Sequence, residues 1–192
     1  MLKDIITSEA RLKVLKFFYI GGEIFSPYVR EIVRGTDLEI NAVRRELIRL
    51  SKARLLLEDP RGNRLHYYLN PKHTLYYDLA SVFAKEIGLG RLIHRKKKRI
   101  GNITFCLLSL NFFLKRKVKN PIDMIMVGDL YLSFLKELII DYQKEHKEEV
   151  NYMVLTDQEY RILKDRKDQL IMNAICQPRA VIIGSQEKYL NP

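Results

Sequence analysis

Two groups of side chains in this chain have types and spacing that could do chemistry. The first is Asn41, Arg44, Arg45, Arg49 and Lys52, in the stretch DLEINAVRRELIRLSKARLLLEDP. Ile40, Val43, Leu47 and Leu50 recur at helical spacing, so on a helix these polar residues, with Ile48, point the other way. A free helix face of this kind suits the major groove of DNA, where an Arg fork matches guanine and an Asn amide matches adenine. The competing possibility is a solvated helix in which Arg45 and Arg49 pair with acids such as Glu46. The second group is a lone carboxylate, Asp123, at the head of the apolar run IDMIMVGD. An acid where a buried strand emerges is a metal ligand, the remnant of one, or a turn residue.

Composition narrows the classes. The chain has 192 residues, 47% hydrophobic and 30% charged, as expected of one folded domain or two small ones. Cys106 and Cys176 are far apart and lack C-x-x-C spacing, so neither structural zinc nor a disulfide framework is expected. The opening MLKDIITSEARLK carries charge where a signal peptide needs its apolar region. The longest apolar run, Ile103 to Leu114, falls well short of the ~20 residues of a membrane span. A cytoplasmic protein without a membrane segment is the expectation. Four histidines with no nearby Cys make His66 a hairpin surface residue rather than a metal ligand.

Net charge is +11 and unevenly placed: residues 1–99 hold 21 Lys+Arg against 11 Asp+Glu, whereas residues 100–192 hold 13 against 12. A basic half joined to a nearly neutral half points to a polyanion-binding module attached to something else.

The elements that must position the first group follow from local signals. Ser8 is a candidate N-cap for a helix ending at Gly21-Gly22, with Leu12, Leu15, Phe18 and Tyr19 on its apolar face. SPYVREIVRGT reads as a two-turn helix with Ser26 as cap, Pro27 at the first helical position and Gly35 as terminator. The Arg-rich helix follows. Leu55 to Glu58 then leads into the turn cluster Pro60-Arg61-Gly62-Asn63, and Leu65, Tyr67 and Leu69 alternate with Arg64, His66 and Tyr68 as in a half-buried strand. Three helices and a basic-tipped hairpin make a winged helix-turn-helix.

That order, with VRRELIRLSKARLL and GNRLHYYLN, resembles bacterial and archaeal transcriptional regulators of the ArsR/MarR-like kind over about residues 5 to 70. Arg54 stands where such regulators usually carry a Gly. The resemblance implies DNA contacts by Arg44, Arg45 and Arg49, a base contact by Asn41, and phosphate contacts by Arg61 and Arg64 from the wing. A connector follows. NPKHTLYYDLASVFAKEIGL has the apolar stripe Leu75, Leu79, Val82, Phe83 and Ile87, and reads either as a dimerisation helix, with exposed Tyr76 and Tyr77 suited to an interface, or equally as a simple packing helix. Gly88 and Gly90 close it, and the basic run Arg91 to Arg99 then reads as a solvated helix end or linker, or as extra phosphate contact.

In the second half, ITFCLLSL and PIDMIMVG read as paired strands, EEVNYMVLT as a third and AVIIGS as a short closing one. LYLSFLKELIIDYQKEHK is helical through Leu132, Leu135, Leu138, Ile139 and Tyr142. DQEYRILKDRKDQLIMNAICQP is helical too, with Tyr160, Leu163, Leu170, Ile171, Ala174 and Ile175 buried. This is an α+β order, a small mixed sheet covered by helices.

IDMIMVGD, EEVNYMVLTDQEY and PRAVIIGS resemble the minimal nucleotidyltransferases related to polymerase β. Active members carry Gly-Ser after the first strand and Asp-x-Asp on the second, so that two carboxylates on one strand face hold a Mg²⁺ pair. Here Leu108 replaces the Gly while Ser109 remains, and Pro121-Ile122-Asp123 lacks the first Asp. Glu149 is the candidate third acid, and the basic stretch Lys115 to Lys119 replaces a small, flexible loop. The resemblance thus implies a vestigial site of Ser109, Asp123 and Glu149 with no catalysis, no metal and no cofactor.

The expectation is a winged helix over residues 1–70, a connector over 71–99 and a degenerate nucleotidyltransferase-like domain over 100–192. The expected function is a homodimeric, double-stranded-DNA-binding transcriptional regulator whose second domain senses a nucleotide or holds a protein partner. The alternatives are an active nucleotidyltransferase acting on a protein or RNA, and an antitoxin-like binding partner.

Overall fold

The computed structural model describes residues 2–116 and 122–190. The chain divides into two compact units, Met1–Phe83 with Leu114–Arg116, and Ala84–Phe113 with Lys117–Pro192. The fold is mixed α+β and contains a small mixed sheet, as the sequence led us to expect.

The first unit begins with α1 (Leu2–Ile5), α2 (Glu9–Gly21), α3 (Val29–Thr36) and α4 (Ile40–Lys52). Ser8 caps α2 as expected, its Oγ accepting the Arg11 N–H at 3.2 Å, and Gly22 ends the helix with φ +83°. Leu12, Leu15 and Phe18 of α2, Ile32 of α3, and Val43, Leu47 and Leu50 of α4 form the buried stripes, whereas Ile40 is only half-buried.

The segment before α3 departs from expectation. Ser26 and Pro27 do not open the helix. They run alongside β2 (Arg64–Leu69), where Tyr28 bridges His66 in antiparallel fashion and the Pro27 carbonyl accepts the Tyr67 N–H at 2.9 Å. A proline φ near −65° serves an extended segment as well as a first helical turn, and here the strand partner decides. The helix starts one residue after Tyr28, whose N–H donates to the Glu31 carboxylate at 3.0 Å. Gly35 does not terminate α3 either. A Cβ there would lie 1.9 Å from the Phe17 ring, so glycine is required for close packing, and Asp37 ends the helix in the left-handed region at φ +51°.

β1 (Leu56–Arg61) pairs with β2 through a register that sets Arg61 opposite Arg64. The strand therefore runs on through Pro60 and Arg61, and the turn shrinks to Gly62-Asn63, with Gly62 at φ +56° as a primed hairpin turn requires. Pro60 is tolerated because β1 is an edge strand. Arg54 takes the left-handed conformation, φ +57°, that a Gly would adopt without cost. Its N–H donates to the Ser51 carbonyl and its own carbonyl accepts the Asn70 amide at 2.8 Å.

α5 (Tyr76–Glu86) corrects the expected dimer-type tyrosines. Tyr76 is fully buried, while Leu75 and Val82, expected in the apolar stripe, are exposed. Gly88 and Gly90 do not close a connector. They open α6 (Gly88–Ile100), which carries the whole basic run and buries Leu89, Ile93 and Ile100.

The second unit holds β3 (Gly101–Ser109), α7 (Leu110–Phe113), β4 (Met124–Leu130), α8 (Leu132–His146) and β5 (Tyr152–Leu155). It continues with α9 (Asp157–Asp165), α10 (Gln169–Cys176), β6 (Arg179–Ile183) and α11 (Gln186–Leu190). Strand order is β5-β4-β3-β6, with β4 and β5 parallel and the other pairs antiparallel. One sheet face presents Phe105, Leu107, Ile125, Val127 and Val181 to Tyr160 of α9 and Ile171 and Ala174 of α10. α6 packs against β3 and β6 and meets α8. With strands covered on both faces, a run such as Met124 to Val127 is apolar throughout instead of alternating. Leu132 and Leu170, expected in the core, are exposed because each sits in the first turn of its helix. The helical stretch after β5 breaks at Lys167, φ +53°, and Asp168 recaps α10 by accepting the Leu170 and Ile171 N–H groups.

No helix among the described residues is long and apolar enough to cross a membrane.

Candidate functional site

α4 presents the first group on its outer face. Asn41, Arg44, Arg45, Arg49 and Lys52 are all exposed, as is Ile48 at 66%. The helix is anchored by Glu46, only 4% exposed, which the sequence offered as a partner for Arg45 or Arg49 but not as a buried residue. Its carboxylate accepts Arg11 Nε at 2.9 Å, Arg49 Nη1 at 3.0 Å and the Ser8 hydroxyl at 3.3 Å. One buried acid thereby ties the α2 cap to α4. Arg49 is committed to this network, as the solvated-helix alternative foresaw, whereas Arg44, Arg45 and Lys52 have no ion pair among the described residues.

The hairpin carries two further arginines. Arg61 pairs with Asp59 at 2.7 Å, and the Arg64 guanidinium lies 4.6 Å over the Tyr28 ring. Arg44 is close enough to the hairpin for its charge to act on the Tyr67 phenol. That pKa is raised, first by burial and then by Glu58, with Arg44 opposing. His66 is half-buried on β2, donating from Nδ1 to the Ser26 carbonyl at 2.6 Å, and His73 bonds the Ala53 carbonyl and the Leu75 N–H. Among the described residues no three His, Cys, Asp or Glu side chains form a metal-binding group.

Sequence reasoning passed over α3. Arg30 and Arg34 are exposed one turn apart and, with Tyr28, Val33 and Ile40, line a shallow groove of about 380 Å³. The signal was present as an i, i+4 arginine pair in VREIVRGT.

At the end of the sheet, Ser109 and Asp123 are brought together but Glu149 is not. The Asp123 carboxylate accepts the Asn151 N–H at 2.9 Å, its backbone N–H donates to the Asn151 carbonyl, and its carbonyl accepts the Ser109 N–H. Ser109, fully buried, donates its hydroxyl to Gln177 Oε1 at 2.9 Å. Asn111 donates to the same oxygen at 3.3 Å, and Gln177 Nε2 reaches the Ile122 carbonyl. Glu149 is exposed on the turn before β5 and shares no hydrogen bond with either. Asp123 thus stitches the start of β4 to the chain entering β5, which the lone acid in IDMIMVGD left open. Of the basic stretch, Lys117 to Lys119 lie outside the described residues, as does Pro121. Arg116 pairs with Glu23 at 2.6 Å and donates to the Tyr77 hydroxyl. Burial pushes the Cys106 thiol up to about 12, leaving it unreactive.

Comparison with known protein families, curated proteins and solved structures gives no match to this chain.

Proposed function

We propose that this protein is a sequence-specific double-stranded DNA-binding regulator. Its first unit acts as a winged helix, and its second is a nucleotidyltransferase-like domain kept as a ligand-sensing or partner-binding module. The observation that carries the reading is the outer face of α4. It combines an amide, two guanidinium groups without an ion pair among the described residues and an exposed isoleucine on a helix whose other side is fixed by a buried carboxylate. In the major groove, Arg44 and Arg45 offer forks to guanine, Asn41 offers an amide to adenine, and Ile48 offers an apolar contact to a thymine methyl. The hairpin follows the backbone, with Arg64 as its freer cation because Arg61 is shared with Asp59. A homodimer on a two-fold-related site is the arrangement such a reader adopts, and the cytoplasm is where it would act.

Support for a non-catalytic second unit comes from the sheet-end cluster. There the Asp123 carboxylate accepts the Asn151 N–H, and Glu149, exposed, shares no hydrogen bond with it.

The test is fluorescence anisotropy on a labelled duplex from the region upstream of the coding sequence, with excess competitor, using wild type and an Arg44→Ala, Arg45→Ala variant. Arg49 is left in place because it braces Glu46. Wild-type binding that survives competitor and is lost in the variant is the expected result. Equal binding of both proteins to any duplex would overturn the reading.

A further inference from the structure

The charge asymmetry that first suggested a polyanion-binding module resolves differently once the elements are known. Residues 1–83 carry 14 Lys+Arg against 10 Asp+Glu, a net of +4. α6 alone carries six cations, Arg91, Arg95, Lys96, Lys97, Lys98 and Arg99, and no acid. Most of the excess in the first 99 residues therefore belongs to one helix of the second unit.

Three features of α6 are not those of an ordinary solvated helix. Its apolar side is already used, with Leu89, Ile93 and Ile100 buried, so the cations all crowd the remaining surface. The macrodipole favours cations in the last turn, which accounts for Lys97, Lys98 and Arg99, but it disfavours Arg91 near the start. No ion pair among the described residues neutralises Arg91, Arg95 or Lys98. Arg91 and Arg95 do line a cavity of about 260 Å³ with Tyr142, Glu145 and His146, and even there the Glu145 carboxylate pairs with neither.

We infer that the row Arg91, Arg95 and Lys98 is a sequence-independent phosphate-contact surface of the second unit. At 1.5 Å per residue the row spans about 10 Å of helix. Over that length one strand of a duplex presents roughly three phosphates. The buried apolar side leaves nothing to insert into a bilayer, so duplex nucleic acid is the favoured partner. The proposal rests on the DNA-binding reading only for that choice of partner.

The experiment uses the full chain and a 30-base-pair duplex of arbitrary sequence, so that base reading by α4 does not enter. Binding is measured against salt for wild type, for Arg91→Gln, Arg95→Gln, Lys98→Gln, and for the charge-keeping Arg91→Lys, Arg95→Lys variant. The glutamine variant should lower the slope of log K against log salt by about 2.7, the release expected from three phosphate contacts. Wild type would then lose roughly forty-fold more affinity than the variant over a fourfold rise in salt. The lysine variant should keep the wild-type slope, and thermal melting should report both folded. An unchanged slope in the glutamine variant overturns the proposal. So does a loss confined to phosphatidylserine vesicles run in parallel. If the Arg44→Ala, Arg45→Ala variant keeps its sequence preference while α6 sets the slope, the DNA-reading role of α4 fails and the α6 surface stands.

Discussion

α4 and α6 are both basic helices of 13 residues, and they solve the problem of exposed charge in opposite ways. α4 mixes its cations with an amide, an exposed isoleucine and a buried acid that binds Arg49 and Arg11. Its outer face is chemically varied, which is what discrimination between base edges needs. α6 repeats one kind of group without an acid, and its Arg91–Arg95 and Arg95–Arg99 pairs, four residues apart, cost a few tenths of a kcal/mol each. A surface of uniform charge gains affinity and salt dependence but no sequence information. On the proposed reading the contrast assigns two tasks, base reading to α4 and phosphate contact to α6.

Breaking the anchor of α4 should have the largest effect. Glu46→Ala leaves Arg11, Arg49 and Ser8 without their shared acceptor. With both arginines partly solvated, a loss of about 2 kcal/mol in urea unfolding is expected. A loss below about 0.5 kcal/mol would mean the network contributes little. Next in size is loss of discrimination. Removing either Arg44 or Arg45 should cost about 1–3 kcal/mol on a preferred duplex and much less on a scrambled one, read by competition anisotropy.

A smaller effect sharpens the account of the second unit. Asp123→Ala removes the acceptor of the Asn151 N–H and should destabilise by about 1–2 kcal/mol. Addition of Mg²⁺ should leave the melting temperature of the wild type unchanged. A Mg²⁺-dependent rise abolished by Asp123→Ala would restore the metal-ligand role.

The smallest expected effect is at acid pH. The Asp157 carboxyl is held below its usual range, first by the Tyr189 hydroxyl at 2.7 Å and also by the Thr104 hydroxyl, Lys188 and Arg161. A carboxylate with a lowered folded pKa contributes stability above its unfolded pKa, near 3.8, and loses it as pH falls through the folded value. Tyr189→Phe should therefore be less stable than wild type at neutral pH, with the gap narrowing below about pH 4. A gap that stays constant down to pH 2 would mean the tyrosine acts through packing alone.

Much of this arrangement was legible in the residues. The Ser8 cap, the stripe Val43, Leu47 and Leu50 of α4 and the α+β order of the second unit all rest on local signals, and the structure carries them, whereas the expected alternation of β2 holds only for Tyr67 and Leu69, Leu65 being exposed. What could not be read depends on partners far along the chain. Ser26 and Pro27 look like a helix start until His66, forty residues on, supplies a strand for them to join. Gly88 and Gly90 look like terminators because glycine usually ends helices, yet here they begin one. Glu46 looks like a surface acid at helical spacing, and only the packing of α2 against α4 makes it an anchor. Asp123 was visible as a lone acid, but its role required knowing that Asn151 lies beside it.

The most direct test of the central claim is the ratio of affinities for a selected duplex and a scrambled one of equal length. It would be measured for wild type, for Arg44→Ala, Arg45→Ala, and for the α6 glutamine variant, at one salt concentration. The division of labour predicts that the α4 variant loses most of the ratio, whereas the α6 variant keeps it while both of its affinities fall together. An α4 variant that retains the wild-type ratio would contradict the claim that this helix reads sequence.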